Sequence, residues 1–389
     1  MAIYKIFPEK DATLYSQFPN MNTGLDPMME ATLTTTIAPN DPNPQVSRTL
    51  IKFPTNSITN IIDNLVSTSS IMQTNLRCFM AKTTGLELDT TVDVWALSGS
   101  WGMGTGRYLD SPLTTNGVSW TFTNYSGSNK WDIPFANPGV TFDYDYRYAP
   151  PGGGNWYQYQ SNAQPLSSSQ EYTYSSNKDL NVDVTPIINA WLTGSVNVPG
   201  IGNVPMSNEG FLIKQRTEWV SNINAQPEIK YFSIDTNTIY PPVLEVKWDD
   251  FTYNTGSTPI PILDKRPATV LIAQNPGTFY SESINRFRIN SRPEYPARVW
   301  QTASLYTENY ALPSGSSMWA LKDLDTNEYL VDFDPVFTQL SADISGSYFD
   351  MYMSGLQPER YYQILIKTQI DGSTIIFNDE YYFKVINGY

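Results

Sequence analysis

The sequence predicts an all-β protein of two or more β-sandwich domains with one or two short helices. Three observations carry that expectation. Apolar residues recur in short alternating runs, as strands with one buried face require. Tyr, at 26 the most frequent aromatic, suits half-buried pleated surfaces, while 23 Gly and 28 Pro scattered without a period suit turns. The 389 residues exceed the roughly 250–300 that one core can serve, so the chain divides into domains.

The elements follow in order. Residues 48–53 read as a strand closed by Pro54. Ile58, Ile61, Ile62, Leu65 and Val66 form a helical stripe that Ser57 is placed to cap. Strands follow at 76–82 and 92–97. Residues 98–180 are irregular, with Trp101, Trp120, Trp131 and Trp156 and the run Gly152-Gly153-Gly154. Within this stretch, residues 131–174, rich in aromatics and poor in aliphatics and with Gly152 to Gly154 making the middle flexible, are expected to be held loosely until a partner covers them. Val184, Ile187, Ile188, Trp191 and Leu192 repeat the helical stripe, with Asp183 or Thr185 as cap, Pro186 in the first turn and Gly194 at the exit. Strands are expected at 211–214, 243–248, 362–370, 374–377 and 381–386, the third and fourth joined by a turn at Asp371-Gly372. Residues 250–267, rich in Pro, Gly, Ser and Thr, read as a linker between a domain at 1–249, carrying an aromatic-rich insert at about 100–175, and a domain at 268–389.

Composition narrows function. The net charge of −14 gives no general attraction to phosphate backbones, so nucleic acid is not an expected partner. Without histidine, Ser-His-Asp and Cys-His catalysis are excluded, and the commonest transition-metal ligand is missing. Cys78 shares an alternate face with Leu76 and Met80 and reads as a buried hydrophobe. No apolar run reaches the length of a membrane span and none at the N-terminus has the form of a secretory signal, so neither membrane insertion nor signal-dependent export is expected.

Several patterns are candidate sites. Asp41 with Asn40 and Asn43, and Asp143 with Asp145, are oxygen clusters for a structural Ca2+, against the reading of a wet carboxylate face; no cofactor is expected. Glu87, Asp89, Asp93 and Asp110 supply carboxylates for glycoside cleavage only if two face each other across a sugar. Gly99, Gly102, Gly104 and Gly106 superficially match a phosphate loop, but no helix signal or Lys-Ser/Thr follows. Trp131, Trp156, Tyr157 and Tyr159 are candidate interface anchors or sugar platforms, against packing beneath long loops. Arg286, Arg288, Arg292 and Arg298 form the densest basic cluster of an acidic chain, matching an acidic neighbour or a solvated strand face.

Pieces of the first two-thirds resemble the DNRLRE domain family in their order: 11–15 with Asn22-Thr23-Gly24, then 48–53, 93–97, 118–120, 183–185 with 190–194, 210–214 and 242–246. That resemblance, over roughly 8–248, implies a β-sandwich of a type found in cell-surface and particle proteins, some of them similar to carbohydrate-binding modules. The insert at 132–172 departs from the pattern. The end of the chain resembles an immunoglobulin or fibronectin type III sandwich through the corner at 355–362. In style and order, notably at 231–248 and 377–389, the whole chain looks like virion structural proteins of contractile-tailed bacteriophages. This implies a non-catalytic adaptor in the neck, tail or baseplate region, made in the host cytoplasm, located in the virion and contacting other virion proteins in multiple symmetric copies. The alternative is a glycan-binding module of a host-recognition fibre.

Overall fold

The computed structural model describes residues 2–34, 45–66, 71–85, 89–131, 140–142, 152–157, 160–161, 164–198, 202–216, 227–257, 260–273, 275–295, 308–378 and 381–388. Among them strands dominate and two short α-helices occur, so the fold is all-β and built of sandwiches. The chain forms two compact units. One comprises Ile6–Leu65 and Gln73–Glu245; the other comprises Met1–Lys5, Val66–Met72 and Val246–Tyr389.

In the first unit the main strands are β1 (Lys10–Tyr15), β2 (Met28–Thr34), β3 (Gln45–Lys52), β4 (Met72–Cys78), β5 (Met80–Thr84), β6 (Thr90–Ala96), β7 (Ser167–Tyr172), β8 (Leu180–Asp183), β9 (Phe211–Gln215) and β10 (Glu228–Phe232). The large sheet runs β7-β6-β9-β3-β2-β10-β5, with β1 pairing β3 from Lys10↔Lys52 to Tyr15↔Ser47. β8 pairs β4. The single strand expected at 76–82 is two, because the chain breaks pairing at Phe79, whose carbonyl accepts from Phe232 N, and Asp179 Oδ1 takes the Met80 N–H. The core gathers Leu14, Leu33, Leu50, Leu97, Val118 and Leu212 around Trp101, Trp120, Trp131 and Trp156.

Helix α1 (Thr55–Ile61) buries Ile58 and Ile61 as the stripe requires and runs on into a wider turn over Ile62–Val66. Its N-cap is Pro54, not Ser57: Pro54 lies at φ −61 and ψ 120, so the helix begins as soon as proline has set the entry. Helix α2 (Thr185–Thr193) has Pro186 in its first turn and exits at Gly194 with φ +69. Asp183 Oδ1 accepts from Thr185 N at 2.9 Å, holding one of the donors the helix leaves unsatisfied.

The second unit contains β11 (Ala268–Ala273), β12 (Thr278–Tyr280), β13 (Ile284–Pro293), β14 (Met318–Asp323), β15 (Tyr329–Val331), β16 (Ser341–Asp343), β17 (Gly346–Tyr352), β18 (Tyr361–Ile370), β19 (Ser373–Phe377) and β20 (Tyr382–Ile386). One sheet runs β11-β13-β17-β16; the other runs β12-β20-β18-β14-β15, with β19 on β18 and β12 parallel to β20. With β11, β13, β14, β16, β17 and β18 lettered A to F and β19 with β20 as G, these are the ABED and CFG sheets of an immunoglobulin-type sandwich, extended by β12 and β15 at the two ends of the second sheet. The expected corner closes: Tyr362 is buried and its hydroxyl donates to Gln357 O at 2.9 Å. Trp319, Phe349 and Phe287 stack in the core, at 4.9 Å and 5.2 Å between ring centres.

The described residues of the expected linker, 250–257 and 260–267, do not behave as a free linker. Tyr253 donates through its hydroxyl to Leu312 O at 3.0 Å, and Leu263 is fully buried in the second unit's core. The boundary falls instead at 245–246. The polar composition that reads as a linker is that of chain whose backbone pairs with Ala311 and Ala342.

Candidate functional site

The aromatic candidates divide. Tyr159 lies outside the described residues. Trp131, Trp156 and Tyr157 are buried within the first unit, which corrects the expectation of exposed anchors on a loosely held segment. Arg48, fully buried, explains why. Its guanidinium lies over Trp120 at 4.9 Å and Trp156 at 5.4 Å and donates to Gly153 O at 2.9 Å. Trp131 Nε1 donates to Ser119 O. The three glycines expected to be flexible are instead pinned. A Cβ on Gly152 would lie 2.0 Å from Trp120 O, and one on Gly153 2.6 Å from Arg48 Nη1. Glycine is needed there for close approach.

The glycine-rich stretch 99–106 is likewise a packing device. Asn22 is fully buried and donates through Nδ2 to Met103 O and Val118 O, while its Oδ1 accepts from Gly106 N and Gly24 N. A Cβ on Gly104 would strike that Oδ1 at 2.3 Å. The backbone amides wrap a side-chain amide of the same chain, leaving no arrangement that resembles a phosphate cradle.

Among the acids, Asp41, Asp143, Asp145 and Glu87 lie outside the described residues. Asp93 is taken up by Arg216, whose Nη2 donates to Oδ1 at 2.7 Å, and Asp110 Oδ2 accepts from Arg107 N and Thr114 Oγ1. Among the described residues no group of three acids or cysteine has metal-binding geometry. Cys78 is fully buried, and burial pushes its thiol up, so it is inert packing.

The arginine cluster gives the best-built surface. On β13, Phe287, Ile289 and Ser291 point into the core, so Arg286, Arg288, Asn290 and Arg292 point outward. Arg286 stands opposite Asp350 of β17 and donates to it twice, through Nε and Nη2, both at 2.8 Å. Arg288 donates twice to Asp343 of β16, at 3.0 Å and 2.8 Å. Tyr348 lies beneath both guanidiniums, at 4.2 Å from Arg286 and 5.5 Å from Arg288. The Arg288 hydrogen bonds hold the Asp343 carboxyl below the usual range. These two arginines are therefore internally neutralised, which corrects the expectation that the whole cluster waits for an acidic partner. Arg292 makes no ion pair with a described residue and borders a groove of about 250 Å3 with Thr269, Leu271, Asn290, Glu308 and Asn309. Arg298 lies outside the described residues. Asp343, Asp350 and Tyr348 belong to this surface but were not anticipated; the alternation Tyr348-Phe349-Asp350-Met351 is the signal that places Tyr348 and Asp350 on one wet face.

No protein-family model matches the chain, and no curated protein matches it. Among solved structures it is similar to the crystal structure of a DUF4785 family protein from Legionella pneumophila subsp. pneumophila str. Philadelphia 1, at 9% sequence identity and a TM-score of 0.17 over 82% of this chain. The chain spans 64% of the length of that protein. A similarity so slight carries no argument about fold or function.

The surface over β11-β13-β17-β16 has one further property. Large apolar side chains stay exposed around the paired arginines: Ile284 at 57%, Leu271 at 43%, and Ile344 at 70% in the β16–β17 turn. No helix among the described residues is long and apolar enough to cross a membrane.

Proposed function

We propose that the chain is a structural component of a tailed-phage particle that joins neighbouring proteins through the outer face of β11-β13-β17-β16. The particle setting comes from the sequence resemblance. The face itself supports an adaptor role. Arg and Tyr are enriched at protein interfaces, and here both guanidiniums are held by carboxylates and a ring before any partner arrives. Exposed Leu271, Ile284 and Ile344 supply apolar area at its margins, and Arg292, which makes no ion pair with a described residue, supplies a charge beside a groove.

Mass spectrometry of purified particles tests the setting: the chain is expected in them, and its absence removes the proposal. Ile284→Asp and Arg292→Glu test the face. Each is expected to fold and to lower incorporation into particles, whereas normal incorporation of both rejects this face.

A further inference from the structure

The second sheet of the immunoglobulin-type unit has its own outward face, chemically unlike the first. On β18 the even-numbered residues Tyr362, Ile364, Ile366, Thr368 and Ile370 are buried; on the opposite face Tyr361 and Gln369 are exposed and Gln363 and Lys367 half-buried, while Leu365 between them is buried with its partner Ala320 of β14. Register carries this face across the sheet. Gln363 pairs with Tyr382 of β20 on one side and with Lys322 of β14 on the other, and Lys322 pairs with Tyr329 of β15. One row thus reads Tyr382, Gln363, Lys322, Tyr329, spanning three strand spacings, or ~14 Å. Both terminal rings are open, Tyr382 at 39% and Tyr329 at 44% exposure.

Charge is segregated on this face. In a chain with 38 acids and 24 bases, the outward positions of β12, β14, β18, β19 and β20 carry Lys322, Lys367 and Lys384 and no carboxylate. Lys384 is paired with Glu359. Lys322 and Lys367 make no ion pair with a described residue; their ammonium groups lie 5.7 Å from the Tyr329 ring and 5.3 Å from the Phe333 ring. Gln363 donates to Asn378 O at 3.4 Å, and its Oε1 has no hydrogen bond to a described residue.

We infer that this face is a binding platform for an anionic polysaccharide. Tyr382 and Tyr329 offer flat rings for the C–H faces of sugars. Gln363 offers an amide for hydroxyls, and Lys322 and Lys367 offer ammonium donors for carboxylate or phosphate substituents. A protein partner fits less well. Interface cores are depleted in charge and fully desolvated, whereas the middle of this row is an amide beside an ammonium. The inference stands on the second unit alone and does not depend on the particle role.

Affinity electrophoresis of the full chain tests it with polygalacturonate and alginate as anionic probes, dextran as a neutral polysaccharide and polyglutamate as a polyanion without sugar rings. Saturable retardation by polygalacturonate or alginate is expected, with dextran and polyglutamate at least tenfold weaker. Tyr329→Ala and Tyr382→Ala are each expected to weaken binding about tenfold while melting temperature holds, and Lys322→Gln is expected to weaken it and flatten its salt dependence. Failure of both anionic polysaccharides to bind overturns the inference. Equal retardation by polyglutamate, unchanged in the tyrosine variants, also overturns it by reducing the face to an ion exchanger. Self-association in light scattering that these same variants abolish would identify a contact between copies instead, which overturns it too.

Discussion

The Arg48 guanidinium donates to the Gly153 carbonyl at 2.9 Å while lying over the ring of Trp120 at 4.9 Å and that of Trp156 at 5.4 Å. That relationship fastens residues 152–157, from the middle of the chain's most irregular stretch, onto strand β3. It makes the first unit's aromatic residues part of its core.

Gly153→Ala should therefore destabilise the first unit. Gly153 has φ +84, and the added methyl would meet Arg48 Nη1 and the Trp120 ring below 3 Å. Overpacking adds to the backbone strain, giving a loss of about 3 kcal/mol. Gly194→Ala is the control: its φ is +69 but no atom lies within 4 Å of the added methyl, so about 1 kcal/mol is expected. Urea unfolding separates the two, and equal losses would remove the role assigned to Arg48.

Trp156→Ala should act on stability. The side chain is buried among Leu97, Trp101 and Leu212, and truncation of such a residue costs about 3–5 kcal/mol. A variant that unfolds at the parent's urea midpoint would restore Trp156 to the role of an exposed anchor.

Leu263→Ala measures whether 250–267 is core or linker. A free linker position would tolerate the change within about 0.5 kcal/mol. Full burial predicts about 2–4 kcal/mol, read in the melting of the full chain.

Asp11 gives the first unit a pH dependence of definite sign. It is almost fully buried, and loss of hydration pushes its carboxyl from 3.8 up to about 7, against the opposing hydrogen bond from Ile234 N. Between those values the folded state holds a proton that the unfolded chain has released. Stability is thus fully present below about pH 4 and falls as pH rises to about 7, by up to ~1.4 kcal/mol per unit. Asp26, raised to about 6 by burial, acts in the same direction. Urea midpoints at pH 4.5, 6 and 7.5 should fall less steeply for Asp11→Asn than for the parent, and parallel profiles would exclude this origin.

The sequence made the second sandwich legible because its longer strands keep a period of two apart from the paired, buried Ala320 and Leu365. Ile364 and Ile366 alternate with Gln363 and Lys367, the Asp371-Gly372 turn has the positive φ values such a turn needs, and the Tyr362 corner closes as its motif implies. The insert was not legible because its burial depends on contacts remote in sequence, such as Arg48 with Gly153 and Asn22 with Gly106. Composition alone gives glycine there the meaning of freedom, whereas the packing gives it the meaning of close approach. The arginine surface was half legible. Outward alternation on β13 placed Arg286, Arg288 and Arg292 on one face, but their carboxylate partners come from β16 and β17, more than fifty residues on.

A cryo-EM map of particles from cells that make this chain tests the central proposal most directly. The account expects the chain in the particle with a neighbour's density seated over Arg286, Tyr348 and Ile284. The chain's presence with that face bare to solvent, or its absence from the particle, would contradict it.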